Sequence, residues 1–301
     1  MADAPKDSPN RGSVAIPSLK SIFIEARFGS SVLGTATAFL IASDRQSHCA
    51  LITNRHVVTG RHQETGRCLN SNAGIPDNLV IHFHAQSDDA DECKWNEVQL
   101  PLFRQDGSPY WFEHSKFGER ADVVALNLHW GNDVVKFPYY LETDLDRFGI
   151  ALGPAESVSV VGFPLGRSVE RFPIWATGFL AQDWSLVTPE SPTFLIDCRT
   201  REGQSGSPVL AYRVGSYRHQ KGDKIVSTLS PHPVWEFLGI YSGRISRDSD
   251  LGIAWHHSVV ADVLSVAAAD AQRRERTLNK EPINGGTDGV QLPASDKRES
   301  T

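Results

Sequence analysis

Several features that mark whole classes of protein are scarce or missing in this chain. There are four cysteines among 301 residues, Cys49, Cys68, Cys93 and Cys198, with no Cys-x-x-Cys pair and no zinc-type spacing. Reduced thiols and a cytoplasmic setting are the expectation, with a periplasmic or secreted setting if the chain is a piece of a longer one. Basic residues are not in excess: 30 Lys and Arg stand against 36 Asp and Glu, a formal charge of −6. This argues against nucleic acid or an anionic membrane as the main partner. No run is long and apolar enough to cross a bilayer. The first ten residues are polar and proline-containing, without the charged-then-apolar layout of a secretory signal. No internal repeat is visible.

What is present is a hydrophobic share of 40%, ample for one large domain or two small ones. Ser21 to Phe28 places Ile22, Ile24, Ala26 and Phe28 on one face, the alternation of a strand. Further short strands are expected at Gly34–Ile41, Cys49–Thr53, Asn78–His84, Asn96–Leu102 and Asp122–Leu128. A polar crossover follows over 129–155. A second set is expected at Ser157–Phe163, Phe172–Gln182, Pro192–Asp197, Ser207–Tyr212, Val234–Ser242 and Gly252–Trp255. Short strands separated by turns predict antiparallel barrels. One helix stands out, Ser258–Arg273, with an apolar stripe of Val259, Val260, Val263, Leu264 and Ala267. The polar ends, 1–17 and 274–301, read as disordered, and the stretch Val214–His232 as a flexible surface loop.

The chemistry centres on Gly203-Gln204-Ser205-Gly206-Ser207-Pro208. A serine on a tight glycine turn can project its hydroxyl while nearby N–H groups converge on one point. Ser207 has no glycine after it, which leaves Ser205 as the nucleophile candidate. Upstream, Thr53-Asn54-Arg55-His56-Val57-Val58 ends a β-rich run in a histidine. Between the two, Asp122 opens an apolar strand. The order His, Asp, Ser is that of the chymotrypsin class. These three motifs resemble the trypsin-like (chymotrypsin-fold) serine peptidases, with Thr-Asn-x-His-Val-Val, Gly-x-Ser-Gly-Ser-Pro and Val161-Gly162-Phe163-Pro164-Leu165-Gly166 closest in style to the bacterial HtrA/Deg branch. The resemblance covers roughly residues 18–268 and leaves no room for the PDZ domain of that branch.

The resemblance implies an all-β fold of two six-stranded antiparallel barrels with a C-terminal helix packed on the second. The first barrel, 18–135, would carry His56 and Asp122, and the second, 136–273, Ser205. It implies a serine endopeptidase acting through an acyl-enzyme on protein or peptide substrates. Gly203 and Ser205 would supply the oxyanion-binding N–H groups, and Ser242 would lie behind Asp122. Arg199 to Glu202, with Thr200, would line one side of the substrate pocket and Tyr241, Ser242, Gly243 and Arg244 another, with Gly252 closing a wall. Arg199 falls where charge preference is set. It could favour an acidic substrate side chain or point away, leaving Thr200 and Tyr241 to shape a small or apolar pocket; Arg244 and Arg247 could serve an acidic group too.

Gln204 stands where the digestive branch has an activating aspartate, and no Ile-Val-Gly-Gly start is present, so zymogen cleavage is not expected. Control would come from loop ordering or a regulatory partner. No cofactor or metal is expected. His82 and His84 share a strand face without a third ligand in view, and Asp88-Asp89-Ala90-Asp91-Glu92 reads as a solvated loop rather than a calcium loop. The rival readings are a catalytically silent trypsin-fold binding module and an exported quality-control protease.

Overall fold

In the computed structural model, the described residues are 14–86, 94–129, 131, 133–169, 171–246 and 248–278. Cys93, the acidic run 88–92, Arg247 and most of both chain ends lie outside them.

A short helix α1 (Ile16–Lys20) precedes the first sheet. The expected leader therefore gives way to structure before residue 18, and Pro17 and Ser18 are already buried. Strands β1 (Ser21–Phe28), β2 (Ser31–Ala42) and β3 (Cys49–Thr53) come next, then helix α2 (Arg55–Thr59). They are followed by β4 (Asn78–Ala85), β5 (Lys94–Pro101), β6 (Trp111–Glu113) and β7 (Val124–Asn127). The crossover that reads as irregular holds β8 (Val134–Val135), β9 (Tyr139–Tyr140) and α3 (Leu141–Asp144). The sheet order is β5-β4-β1-β2-β3-β7-β6, with β8 on β4 and β9 on β2, nine strands in all. No ladder joins its two ends among the described residues. The chain between them is held by Tyr110 N–H to the Leu102 carbonyl, 2.9 Å, Arg104 N–H to the Ser108 carbonyl, 2.8 Å, and an isolated bridge of Phe103 with Pro109. The first unit is thus a curled nine-stranded sheet rather than a closed six-stranded barrel.

The second unit is the expected closed barrel. It comprises β10 (Ser157–Gly162), β11 (Ile174–Leu180), β12 (Thr193–Asp197) and β13 (Pro208–Arg213). A hairpin, β14 (Ser216–Lys221) and β15 (Lys224–Leu229), interrupts the barrel before β16 (Val234–Arg244) and β17 (Leu251–His256). The barrel order is β10-β11-β12-β17-β16-β13, and β14 and β15 pair only with each other. The stretch read as a flexible loop is therefore this hairpin. It docks on the crossover through Ala151 N–H to the Arg218 carbonyl and Gln220 N–H to the Gly149 carbonyl.

Helix α4 (His257–Leu278) closes the chain and runs past Arg273, so part of the expected disordered tail is helical. Its stripe Val259, Val260, Val263, Leu264 and Ala267 is fully buried. Burying a valine or leucine contributes about 1.5–3 kcal/mol. The stripe packs with Phe39, Ile41, Ala125 and Tyr139 of the first unit as well as Val161, Leu210 and Phe237 of the second. The helix thus straddles the seam instead of lying on the second barrel alone. Lys20 joins the halves from the other end. Its ammonium bonds Asp144 at 2.9 Å and lies 4.6 Å from the centre of the Tyr139 ring.

Candidate active site

The cleft side chains are set by bonds that cross between the two units. Helix α2 is a single turn, too short to satisfy its own first N–H groups. His56 N–H instead donates to Asp122 Oδ1 at 2.9 Å, and Asn54 Nδ2 donates to the Asp122 carbonyl at 2.7 Å. Asp122 Oδ2 lies 2.7 Å from His56 Nδ1 and also accepts from the Ser242 hydroxyl. The carboxylate is buried, its side chain 1% exposed, and three donors offset the cost of removing it from water. A carboxylate can only accept, so Nδ1 carries a proton, and in the uncharged tautomer Nε2 is the ring atom that can accept.

Ser205 lies on a turn that needs glycine at two places. Gly203 has φ +91° and Gly206 φ +84°, and a Cβ on Gly206 would lie 2.0 Å from the Thr37 carbonyl oxygen. Both conditions favour glycine. The turn is clamped to the first sheet: Thr37 N–H donates to the Ser205 carbonyl at 2.8 Å, and the Thr37 hydroxyl donates to the Gly203 carbonyl at 2.9 Å. Thr53, three residues before His56, donates from its hydroxyl to the Thr37 carbonyl at 2.9 Å. One strand residue, Thr37, therefore registers the serine turn against the histidine segment. Sequence reading missed Thr37 and Thr53 because a threonine on a strand carries no local signal of such a clamp.

Among the described residues, the N–H groups of Gly203 and Ser205 have no intramolecular acceptor. The Glu202 carbonyl accepts from Leu165 N–H at 2.5 Å. In a trans peptide the C=O and N–H point opposite ways, so this bond turns Gly203 N–H away from Leu165. Leu165 makes the bond from a left-handed conformation, φ +56°, in the turn Pro164–Gly166. Gln204, buried, accepts the Arg201 N–H on Oε1 at 2.8 Å and so braces the turn from inside.

His56, Asp122, Gly203, Ser205, Ser242 and Arg244 line one cleft of about 690 Å³. The Ser205 hydroxyl donates to the Ser242 carbonyl at 3.2 Å; among the described residues no hydrogen bond joins it to His56. A larger groove, about 1370 Å³, lies elsewhere, between α4 and the first sheet, and contains none of these residues.

The other candidates are spread differently. Gly243 lines the cleft. Arg199 is exposed and does not line it, while Thr200 and Tyr241 are buried and share a hydrogen bond of 2.5 Å. Arg247 is outside the described residues. His82 faces Glu97 across the β4–β5 pair at 3.4 Å. His84 packs among Trp95, Phe137 and Phe172, and burial pushes its pKa down to about 4. No group of three His, Cys, Asp or Glu that could hold a metal occurs among the described residues. Cys49, Cys68 and Cys198 are free thiols, and burial raises Cys49 and Cys198 to about 11. No helix among the described residues is long and apolar enough to cross a membrane.

Residues 36–216 match the family model of the trypsin-like peptidase domain, more than half of the chain, and the chain belongs to that family of serine endopeptidases. No curated protein matches it in sequence. Several solved structures resemble it at low identity. The serine endoprotease from Yersinia pestis is 12% identical over 86% of this chain and 69% of that one, with a TM-score of 0.46. The thermostable serine protease AL20 from an extremophilic microorganism is 14% identical over 85% and 99%, TM-score 0.44. The protease Anisep from Arthrobacter nicotinovorans is 13% identical over 85% and 98%, TM-score 0.43.

Proposed function

We propose that the chain cuts peptide bonds within protein substrates through His56, Asp122 and Ser205 and a covalent acyl-enzyme, with lobes 18–135 and 136–273 facing each other across the cleft. The observation that carries this reading is the Asp122 carboxylate bonded to both His56 and Ser242, in the same cleft as Ser205 and the unengaged Gly203 and Ser205 N–H groups.

The Ser205 hydroxyl leaves the Ser242 carbonyl and turns to His56 Nε2 by rotation about its side-chain bond. Its oxygen then attacks the substrate carbonyl carbon while Nε2 takes the proton. The oxygen of the tetrahedral intermediate is held by Gly203 and Ser205 N–H, and each such donor is worth about 3 kcal/mol of barrier. His56 passes the proton to the departing amine, leaving an ester on Ser205. Water, deprotonated by His56, hydrolyses that ester and restores the serine. Asp122 fixes the ring tautomer and stabilises the imidazolium. The Ser242–Arg244 edge pairs with the substrate backbone. A cytoplasmic setting and control by loop ordering or a regulatory partner belong to the same reading.

One observation favours the silent-module rival: the serine hydroxyl rests on Ser242 rather than His56. A fluorophosphonate probe separates the two. Labelling of the wild type that is lost in Ser205→Ala is expected. An unlabelled wild type would overturn the protease reading in favour of the silent module.

A further inference from the structure

The pocket beside a reactive serine takes the side chain on the acyl side of the cut bond, and here the room for it is already filled. Its three walls would be the segment before Ser205, the β16 edge and the start of β17. The Tyr241 side chain lies between all three. Its hydroxyl bonds Thr200 Oγ1 on the first wall. Its ring lies against Gly252 on the third, where an added Cβ would sit 2.6 Å from Tyr241 Cε2. Thr200 is 0% and Tyr241 2% exposed, so no solvent-filled space remains around the pair. The cleft reaches Glu202, Gly203, Ser242 and Ile253 but neither Thr200, Tyr241 nor Gly252. It therefore stops at the mouth of that pocket.

The ring is not placed to swing aside. Tyr241 N–H donates to the Ser207 carbonyl at 2.8 Å, and its carbonyl accepts Gly206 N–H at 2.9 Å, so its backbone is part of the serine turn. The ring is packed in the second-barrel core with Ile196, Cys198 and Ala254. Leaving it would strand the Thr200 hydroxyl and open a void, both costly. The cations that line the cleft among the described residues, Arg120 and Arg244, lie along its open part with Ser242 and Gly243 rather than in the space Tyr241 fills. Arg199 is exposed, and Arg201 is spent on the Thr200 carbonyl, 2.7 Å, and Asp250, 3.5 Å.

We propose that Tyr241 plugs the primary specificity pocket and restricts cleavage to bonds that follow glycine, alanine or serine. This rests on Ser205 being the nucleophile.

The test is a peptide library read by mass spectrometry, with wild type, Tyr241→Ala and Tyr241→Phe, beside fluorophosphonate labelling of each. Wild type should cut after Gly, Ala or Ser about 100-fold faster than after Leu or Phe. Tyr241→Ala should move the preference to Leu, Met or Phe, and Tyr241→Phe, which keeps the ring, should not. If Tyr241→Ala does not fold, wild type alone decides, through inactivation rates with peptidyl chloromethyl ketones ending in Ala or in Phe; faster inactivation by the Phe reagent overturns the plug. A labelled wild type that cuts after bulky or charged residues overturns it as well. An unlabelled wild type removes the nucleophile reading, and this one with it.

Discussion

On the first-sheet side of the cleft, the Asp122 carboxylate accepts from His56 N–H, His56 Nδ1 and the Ser242 hydroxyl, and its segment is tied down again through Asn54. On the barrel side, the Ser205 backbone is clamped as firmly, by Thr37, yet its hydroxyl rests on the Ser242 carbonyl, away from His56. The difference is one of chemistry rather than order. A buried carboxylate must be fully bonded in the resting state or pay a large desolvation cost. A half-exposed hydroxyl bears no such cost and is free to change rotamer. In the proposed mechanism the His56–Asp122 pair is thus already bonded at rest, and Ser205 has yet to join it.

Asp122→Asn strikes the prebuilt side hardest. An amide presents an N–H where Nδ1–H needs an acceptor, so either the contact is lost or the ring adopts the wrong tautomer. A loss of about 10⁴ in kcat is expected, read from ester or peptide hydrolysis, with Ser205 geometry retained. A loss under tenfold would mean that the prebuilt pair does not govern turnover. Leu165→Pro strikes the other side. It removes the N–H that holds the Glu202 carbonyl and frees that peptide to turn its oxygen towards the oxyanion position. A fall of about 10²–10³ in kcat, with KM little changed, is expected. Leu165→Gly keeps the N–H, suits φ +56° and should stay near wild type; proline cannot adopt that φ, so melting is read beside kcat, and a loss of kcat that only follows a drop in melting temperature would sink the oxyanion account. Ser242→Ala touches both sides while leaving its backbone carbonyl in place. It takes one donor from the Asp122 carboxylate, and about tenfold in kcat is expected, since a bond to a charged group is worth about 1.5–3 kcal/mol and His56 N–H remains. An unchanged kcat would show that His56 alone is enough to hold Asp122.

The same contrast separates what could be read along the chain from what could not. His56, Asp122 and Ser205 each sit in a short local pattern, and the α4 stripe repeats at helical spacing, so all were legible before folding. The clamp by Thr37 and Thr53 was not, because it exists only once two distant strands meet the serine turn. Arg199 looked well placed for substrate, but its neighbour Thr200 turns inward, and successive side chains in extended chain point opposite ways. The contacts of Tyr241 with Gly252 on β17 and with Thr200, in the loop after β12, arise only once those segments meet in the fold. The hairpin β14–β15 did carry a signal. Gly222-Asp223 is a two-residue turn between paired Lys221 and Lys224, but β14 is mostly polar and the apolar Ile225 and Val226 of β15 fall on opposite faces, so no strand period shows. Closure of the first unit was beyond local reading, since it depends on whether β5 and β6 meet.

The seam between the halves offers the subtlest test. His84 on β4 packs on Trp95 of its own sheet and on Phe137 and Phe172 from the crossover and the second unit. Burial holds it at about 4, against an ordinary 6.5, and its Nε2 has no partner. The folded state thus binds a proton less readily than the unfolded chain. Its stability contribution is complete above about 6.5 and is lost as pH falls through 4, by about 3 kcal/mol at most. His256, also pushed down to about 4 by burial, adds a loss of the same sign. Melting of His84→Phe between pH 7.5 and 4 should show a shallower fall than wild type, while activity at neutral pH is unaffected because both acid–base and nucleophile sides lie elsewhere. An equally steep fall would assign the acid sensitivity to His256 and other groups and leave the seam at β4 out of it.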